Sequence, residues 1–221
     1  MSTPAASTSA SESPDLKPRS ATTPNGDYVI DITPGGRLGA GGHGVVFRGR
    51  CVATGEPVAV KVTRLFPKMS LKEAALLQQL EHPNVIKVHS MQRNAAGTAL
   101  FMVMQLCTGG ELFDLVAEHG ALPLSCALRY FKGIVTGLNY CHSKGVAHRD
   151  LKPENVIMPS KDLDDVVICD FGMAALCPLS TGFGEWSAVA KMFAGSTAEN
   201  DARYTRCGSQ SYMAPEVIHC T

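Results

Sequence analysis

His148-Arg-Asp-Leu-Lys-Pro-Glu-Asn155 is followed, twenty positions after Asp150, by Asp170-Phe-Gly172, and further on by Ala214-Pro-Glu216. These polar strings lie between elements whose periodicity is readable. Upstream, Ala127, Leu128, Phe131, Ile134, Val135, Leu138 and Cys141 recur at helical spacing, which predicts a helix from about Leu124 to His142 with that set on one face and Gly145 as its stop. A shorter helix is predicted over Leu112–Glu118, just after Gly109-Gly110. Downstream, Val156–Met158 and Val166–Cys169 read as short strands joined by a polar turn.

Before Cys107 the pattern is strand-like, with apolar or β-branched runs at Val45–Phe47, Val58–Val62, Val85–Val88 and Leu100–Met104, punctuated by Gly and Pro. One helix interrupts it. Ser70-Leu-Lys-Glu73 is a capping-box signature ahead of Leu71, Ala74, Ala75, Leu77 and Leu80, and Pro83 stops the run. Leu38-Gly-Ala-Gly-Gly-His-Gly-Val-Val46 holds G-x-G-x-x-G at Gly39, Gly41 and Gly44, a spacing shared with dinucleotide-binding turns and ordinary turns. A dinucleotide loop opens into a helix, whereas Val45–Val52 reads as a strand, so the loop is a hairpin lid whose small residues let backbone approach phosphates. An oxidoreductase reading would require a helix directly after Gly44. Val58-Ala-Val-Lys61 ends an apolar strand with a lysine that, standing alone, reads as an edge residue reaching for solvent.

Composition narrows the class. The 221 residues correspond to one domain and a fraction, and 45% hydrophobic residues suffice for a core. Twenty Lys+Arg balance twenty Asp+Glu, so no net field draws in nucleic acid or an anionic membrane. The apolar stretch Ala99–Leu106 is too short to cross a bilayer, and the start shows no secretory signal; a soluble protein without membrane insertion is expected. Eight scattered cysteines without a C-x-x-C pair read as free thiols, hence a cytoplasmic or nuclear compartment. Residues 1–27, rich in Ser, Thr, Ala and Pro, read as a disordered tail in which Ser13-Pro14 and Thr23-Pro24 are either phosphorylation sites or the ordinary dipeptides of such tails.

The ordered set of glycine loop, Lys61, His148–Asn155, Asp170–Gly172 and Ala214–Glu216 resembles the eukaryotic protein kinases over roughly Tyr28 to Thr221. The resemblance implies an α+β, bilobal protein-kinase-like fold: a small β-rich N-lobe and hinge over 28–107, and an incomplete, mostly α C-lobe over 108–221. It implies ATP and Mg2+ as cofactors and protein substrates as partners. Lys61 would hold the α- and β-phosphates, Asn155 and Asp170 the metal, Asp150 the attacking hydroxyl, and Lys152 the transferring phosphate. Lys152-Pro-Glu154 is the form similar to serine/threonine kinases.

Nucleotide contacts would come from Leu38, Gly39, Ala40, Gly41, Gly42, His43 and Gly44 in the lid. Val46 and Ala59 would lie above adenine and Ile157 below, with a hinge at Gln105–Cys107 and Met104 as gatekeeper. Glu111 would bind ribose or a basic substrate residue, and Glu154 supplies a second acid, which suggests basic residues upstream of the target. Glu73 is either the ion-pair partner of Lys61 or the capping acid of Ser70. The segment from Asp170 to Glu216 spans forty-six positions, extended for the family. Within it, Thr205 matches a regulatory phosphosite that would pair with Arg149, implying an upstream activating kinase; an unmodified threonine is the alternative. Residues 106–114, 140–145 and 206–216 resemble the calcium/calmodulin-dependent-kinase-like group. The chain stops five residues after Glu216, where the family continues with further helices. On that reading these residues alone would be weakly stable and poorly active, and a nucleotide- or partner-binding module without turnover is the alternative function.

Overall fold

The computed structural model describes residues 20–41, 44–64, 77–160, 162, 165–176 and 208–218. Expectations for the chain before Ser20, for Gly42 and His43, for the Ser70–Glu73 box, and for 177–207 with Thr205 lie outside the described residues.

The strand-like run forms an antiparallel sheet. Its strands are β1 (Ser20–Thr22), β2 (Tyr28–Asp31), β3 (Arg37–Gly41), β4 (Gly44–Cys51), β5 (Pro57–Arg64), β6 (Val88–Arg93) and β7 (Ala99–Gln105), in the order β1-β2-β4-β5-β7-β6 with β3 also paired to β4. Side-chain alternation gives the sheet two apolar faces. Val60 stands opposite Phe47 and Val103, and with Ile30 and Val58 they make one buried cluster. Ala59 and Lys61 turn the other way, opposite Met104 and Met102, which pack on the central core with Leu77, Leu80, Ile86, Cys141, Ile168 and Phe171.

The expected tail is shorter than 27 residues, because Ser20–Thr22 pairs with β2 through a turn at Asn25-Gly26. Asn-Gly is a strong hairpin signal that composition averaging hides. Thr23, 2% exposed, accepts from the Tyr28 N–H through Oγ1, so its hydroxyl faces inward rather than toward a modifying enzyme. The run at Val85–Val88 also differs: β6 begins only at Val88, while Val85 bridges Ile168 in parallel and Ile86 donates to the Ile168 carbonyl.

The helical part contains α1 (Leu112–His119), α2 (Leu124–Ser143) and the short α3 (Pro215–Ile218). Between them lie two small ladders: β8 (Val146–Ala147) with β11 (Ala175–Leu176), and β9 (Val156–Ile157) with β10 (Val167–Ile168). Gly145, at φ 71°, follows α2 as expected. The buried face of α2 is the expected one only in part: Cys141 is buried and Ile134 and Leu138 pack against the core, but much of the predicted stripe is not covered. Tyr130, Gly133, Gly137 and Cys141 are buried, whereas Leu128 is 57% and Phe131 65% exposed, and Leu124 and Val135 are exposed as well. Against Asn84, α2 docks through its smallest side chains: a Cβ on Gly137 would lie 2.8 Å from the Asn84 carbonyl oxygen. Asn84 is the node of this contact. Its Nδ2 donates to the Val166 carbonyl at 2.8 Å and to Asp165, its Oδ1 accepts from Thr136, and its carbonyl accepts from the Ile168 N–H.

Among the described residues, Cys51, Cys107, Cys126, Cys141 and Cys169 are free thiols, as the scatter of cysteines implied. No helix among them is long and apolar enough to cross a membrane.

Ile168, fully buried, and Leu124, 75% exposed, provide opposite tests of the packing. Ile168→Ala should cost about 2–5 kcal/mol in urea unfolding. Leu124→Ala should change stability by less than about 0.5 kcal/mol; a large loss there would mean that the α2 face is packed.

Candidate functional site

The lid and the lysine are set by one register. Gly41 pairs with Gly44, Val46 with Lys61, and Ala59 with Met104, so Val46, Ala59, Lys61 and Met104 share a face of the sheet. Leu38, Gly39, Ala40 and Gly41 lie on β3, on the outer side of β4. Gly44 has φ 127°, and a Cβ there would sit 2.5 Å from the Val62 carbonyl, so only glycine closes this hairpin unstrained. Beyond β7, the Gln105 N–H donates to the Lys87 carbonyl, and Gly109 and Gly110 exchange hydrogen bonds with Met158. Glu111 bridges Ile157, bringing the Gln105–Cys107 connector and Ile157 to the same cleft. Burial pushes the Cys107 thiol up to about 11 and Cys169 to about 12, so neither is a thiolate at neutral pH.

Lys61 crosses this cleft. Its Nζ lies 2.6 Å from Asp170 Oδ1, and the two side chains are only 13% and 27% exposed. The described partner of Lys61 is therefore Asp170; Glu73 lies outside the described residues. Asp170 has φ 55°, and its carboxylate also accepts from the Gly172 N–H.

The polar string before α2's partner ladder is clamped at several points. His148 Nε2 donates to the Cys169 carbonyl at 2.8 Å, and the Asp150 N–H points at His148 Nδ1 at 3.3 Å. These two bonds assign the proton to Nε2. The ring also meets Phe171 edge-on, with centroids 4.7 Å apart. Arg149, at φ 64°, donates from Nε to the Met173 carbonyl. Asn155 Nδ2 donates to the Asp150 carbonyl at 2.8 Å and to Asp150 Oδ2 at 3.2 Å, while the Asn155 carbonyl accepts from the Cys169 N–H.

Asp150 is 7% exposed, and its carboxylate is fully engaged. Lys152 Nζ lies 3.2 Å from Oδ2, and the Ser209 N–H donates to Oδ1 at 2.6 Å. Burial pushes its pKa up, but the Ser209 hydroxyl and N–H together with Lys152 outweigh that and hold it below the usual carboxylate range. Lys152 Nζ also donates to Ser209 Oγ at 2.6 Å. Ser209 was not among the residues expected here. Gly208 at φ 113° lets it approach, since a Cβ there would come 2.7 Å from the Arg149 carbonyl. The only sequence signal was a glycine followed by a small hydroxyl ahead of Ala214-Pro-Glu216.

Beside Lys152 the charge is negative. Glu111 is pushed up by burial and by the neighbouring Asp114 and Glu154, and Glu154 Oε2 is buried with no hydrogen-bond partner. Among the described residues, no three His, Cys, Asp or Glu side chains converge as a metal cluster. The donor set that fits a hard cation is instead Asp170 with the Asn155 side-chain carbonyl, brought together where Asn155 meets Cys169 at the end of the β9–β10 ladder. Such a pair suits Mg2+ completed by ligand phosphates and water. Gly42, His43, Glu73 and Thr205 cannot be added to this geometry, as they lie outside the described residues.

Residues 32–221 match the family described as protein kinase domain. CBL-interacting serine/threonine-protein kinase 16 of Arabidopsis thaliana is 34% identical over 189 residues, covering 82% of this chain and 37% of that protein. CBL-interacting protein kinase 17 of Oryza sativa subsp. japonica is 38% identical over 192 residues, covering 83% and 37%. CBL-interacting serine/threonine-protein kinase 7 of Arabidopsis thaliana is 32% identical over 206 residues, covering 90% and 43%. The chain spans about two fifths of the length of these curated relatives.

His148 provides a pH test. Burial, the largest influence, holds its pKa below the ordinary 6.5 despite the Cys169 carbonyl and nearby carboxylates. The folded chain thus prefers the neutral ring. Its contribution is complete above about pH 6.5 and is lost as pH falls through the lowered folded value. Melting temperatures should drop between about pH 7.5 and about pH 5.5, and drop less for His148→Gln, which keeps a donor for Cys169 without titrating. Equal drops in both proteins would remove His148 as the cause.

Proposed function

The chain belongs to the protein kinase family, and from that premise we propose that it transfers the γ-phosphoryl group of ATP to serine or threonine hydroxyls of protein substrates. The observation that carries the reading is the Asp150 carboxylate, held ionised and aimed by Asn155, Lys152 and the Ser209 N–H, beside the Lys61–Asp170 pair. Phosphoryl transfer asks little covalent chemistry of a protein; it asks for positioning and charge.

Each residue then has a task. Lys61 exchanges Asp170 for the α- and β-phosphates, which releases the Asp170 carboxylate toward the metal site it shares with Asn155. Asp170 and Asn155 would hold Mg2+ there, which would neutralise charge on the phosphate oxygens. Asp150 orients the acceptor hydroxyl and takes its proton as the new O–P bond forms. Lys152, already 3.2 Å from Asp150, balances the charge of the group in transit. Val46, Ala59 and Ile157 enclose adenine, and the Gln105–Cys107 backbone supplies its hydrogen bonds.

The acids Glu111, Asp114 and Glu154 support a preference for Arg or Lys upstream of the target, because a guanidinium would satisfy the orphaned Glu154 oxygen and relieve the like-charge crowding at Glu111. Thr205 remains the proposed site for an upstream kinase, with its phosphate meeting Arg149.

One peptide assay with Mg-ATP tests these roles. Asp150→Asn should lower kcat by about 10²–10⁴-fold with nucleotide affinity little changed. Nucleotide binding without any turnover in the parent chain would favour a binding module instead. Replacing upstream arginines of the peptide by alanine should raise KM, and Glu154→Gln should shrink that difference; equal KM values for both peptides would defeat the basic preference. Thr205→Ala should remove activation by an upstream kinase, and full activation of that variant would exclude the switch.

A further inference from the structure

Between β2 and β3 the chain makes a turn for which the proposed transfer has no use. The Thr33 N–H and hydroxyl both donate to Asp31 Oδ1, at 3.0 and 2.6 Å, and the Gly36 N–H donates to Thr33 Oγ1 at 3.2 Å. A Cβ on Gly36 would lie 2.3 Å from the Asp31 carbonyl oxygen, so Pro34–Gly36 is drawn tight against β2. The turn walls a cavity of about 610 Å³ whose lining includes Ile32, Pro34, Arg37, Leu38, Val45 and Phe47. That volume lies in the range that holds a bound group. The lining is mostly apolar, Ile32 and Leu38 are exposed, and the hydroxyl of Thr33 is spent within the turn. Arg37 is exposed as well, and among the described residues it has no ion-pair partner.

The strand register brings one segment of the chain to this place. Ser20 pairs with Asp31, so the chain before Ser20 leaves the sheet beside Ile32, at the wall of the cavity. Four residues separate Ser20 from Leu16, a reach of up to about 13–14 Å. Leu16 is the one large apolar residue between Met1 and Ser20, and it directly follows Asp15. An apolar side chain with a carboxylate beside it complements an apolar cavity rimmed by a guanidinium.

We propose that Asp15-Leu16, a segment outside the described residues, docks in this cavity, with Leu16 against Val45 and Phe47 and Asp15 against Arg37. Val45 and Phe47 alternate with Val46, which shares its face with Lys61, so the seat lies on the back of the glycine lid. A docked segment ties the two lid strands, β3 and β4, to β2 and restrains the lid, and its release frees the lid. The N-terminal segment thereby regulates the lid from the side that no nucleotide reaches. Backbone exchange reads this without nucleotide, so its outcome does not depend on the kinase reading.

Hydrogen exchange of the full chain is followed by mass spectrometry on peptides covering residues 32–47 and, as a reference, 99–105. Leu16→Asp should speed exchange in 32–47 by about tenfold, the scale of losing one buried leucine, and leave 99–105 unchanged. Leu16→Met, which keeps an apolar side chain, should exchange as the parent chain does. Asp15→Arg and Arg37→Asp should each speed exchange by about two- to threefold, and the two together should restore the parent rates. Unchanged exchange in Leu16→Asp overturns the proposal, and so does a charge-reversed pair that fails to recover. Faster exchange in 99–105 as well would mean that the segment supports the whole sheet rather than this seat, and protection lost on dilution would assign the cavity to a second copy of the chain; either result overturns it.

Discussion

The bond from His148 Nε2 to the Cys169 carbonyl joins the loop of Asp150 to the segment of Asp170 across 21 residues of sequence, and much of the site's geometry follows from it. Cys169 is held from both sides, since its N–H donates to the Asn155 carbonyl. With both backbone groups of Cys169 committed, Asp170 leaves the β10 ladder in a left-handed conformation, and Arg149 on the opposite loop has one too. A non-glycine residue at positive φ costs on the order of 1–3 kcal/mol and persists only where surrounding bonds over-determine it. Here the clamp, the β9–β10 ladder and the Arg149–Met173 bond do so.

The charges within this frame are paired before any ligand arrives. Lys61 with Asp170 and Lys152 with Asp150 are two partly buried pairs, and a buried carboxylate without such a partner would lose its solvation uncompensated. The two pairs differ in what else holds them. Asp150 is fixed from three directions by Asn155, Lys152 and Ser209, so its position does not depend on a ligand. Lys61 pairs with Asp170, whose carboxylate also accepts from the Gly172 N–H, so under the proposed function an entering polyphosphate would compete with Asp170 for the lysine.

Much of this was legible in the residues. Strand alternation placed Val58 and Val60 on one face and Ala59 and Lys61 on the other, because side chains alternate strictly along a strand. The loop carrying Asp150 was found because its residue types are close in sequence. Three features were not legible. The hairpin at Asn25-Gly26 disappeared into a polar composition, the part of α2 that meets Asn84 is lined by Gly133 and Gly137 rather than by Leu128, Phe131 or Val135, and Ser209 reaches Asp150 from 59 positions away. Hydrophobic periodicity rewards large side chains, whereas close packing against Asn84 rewarded their absence.

The sequence by itself determined the kinds of elements, their order, and which polar groups are candidates for the proposed phosphate, metal and proton roles, since these depend on local spacing and on side-chain chemistry. Only the tertiary structure decided which of those groups meet. Lys61 pairs with Asp170 across 109 residues, and Asp150 receives Ser209 across 59. Such contacts depend on how the sheet, α2 and the two short ladders pack around Asn84 and Cys169, and no local pattern encodes a distance that closes only when the core does.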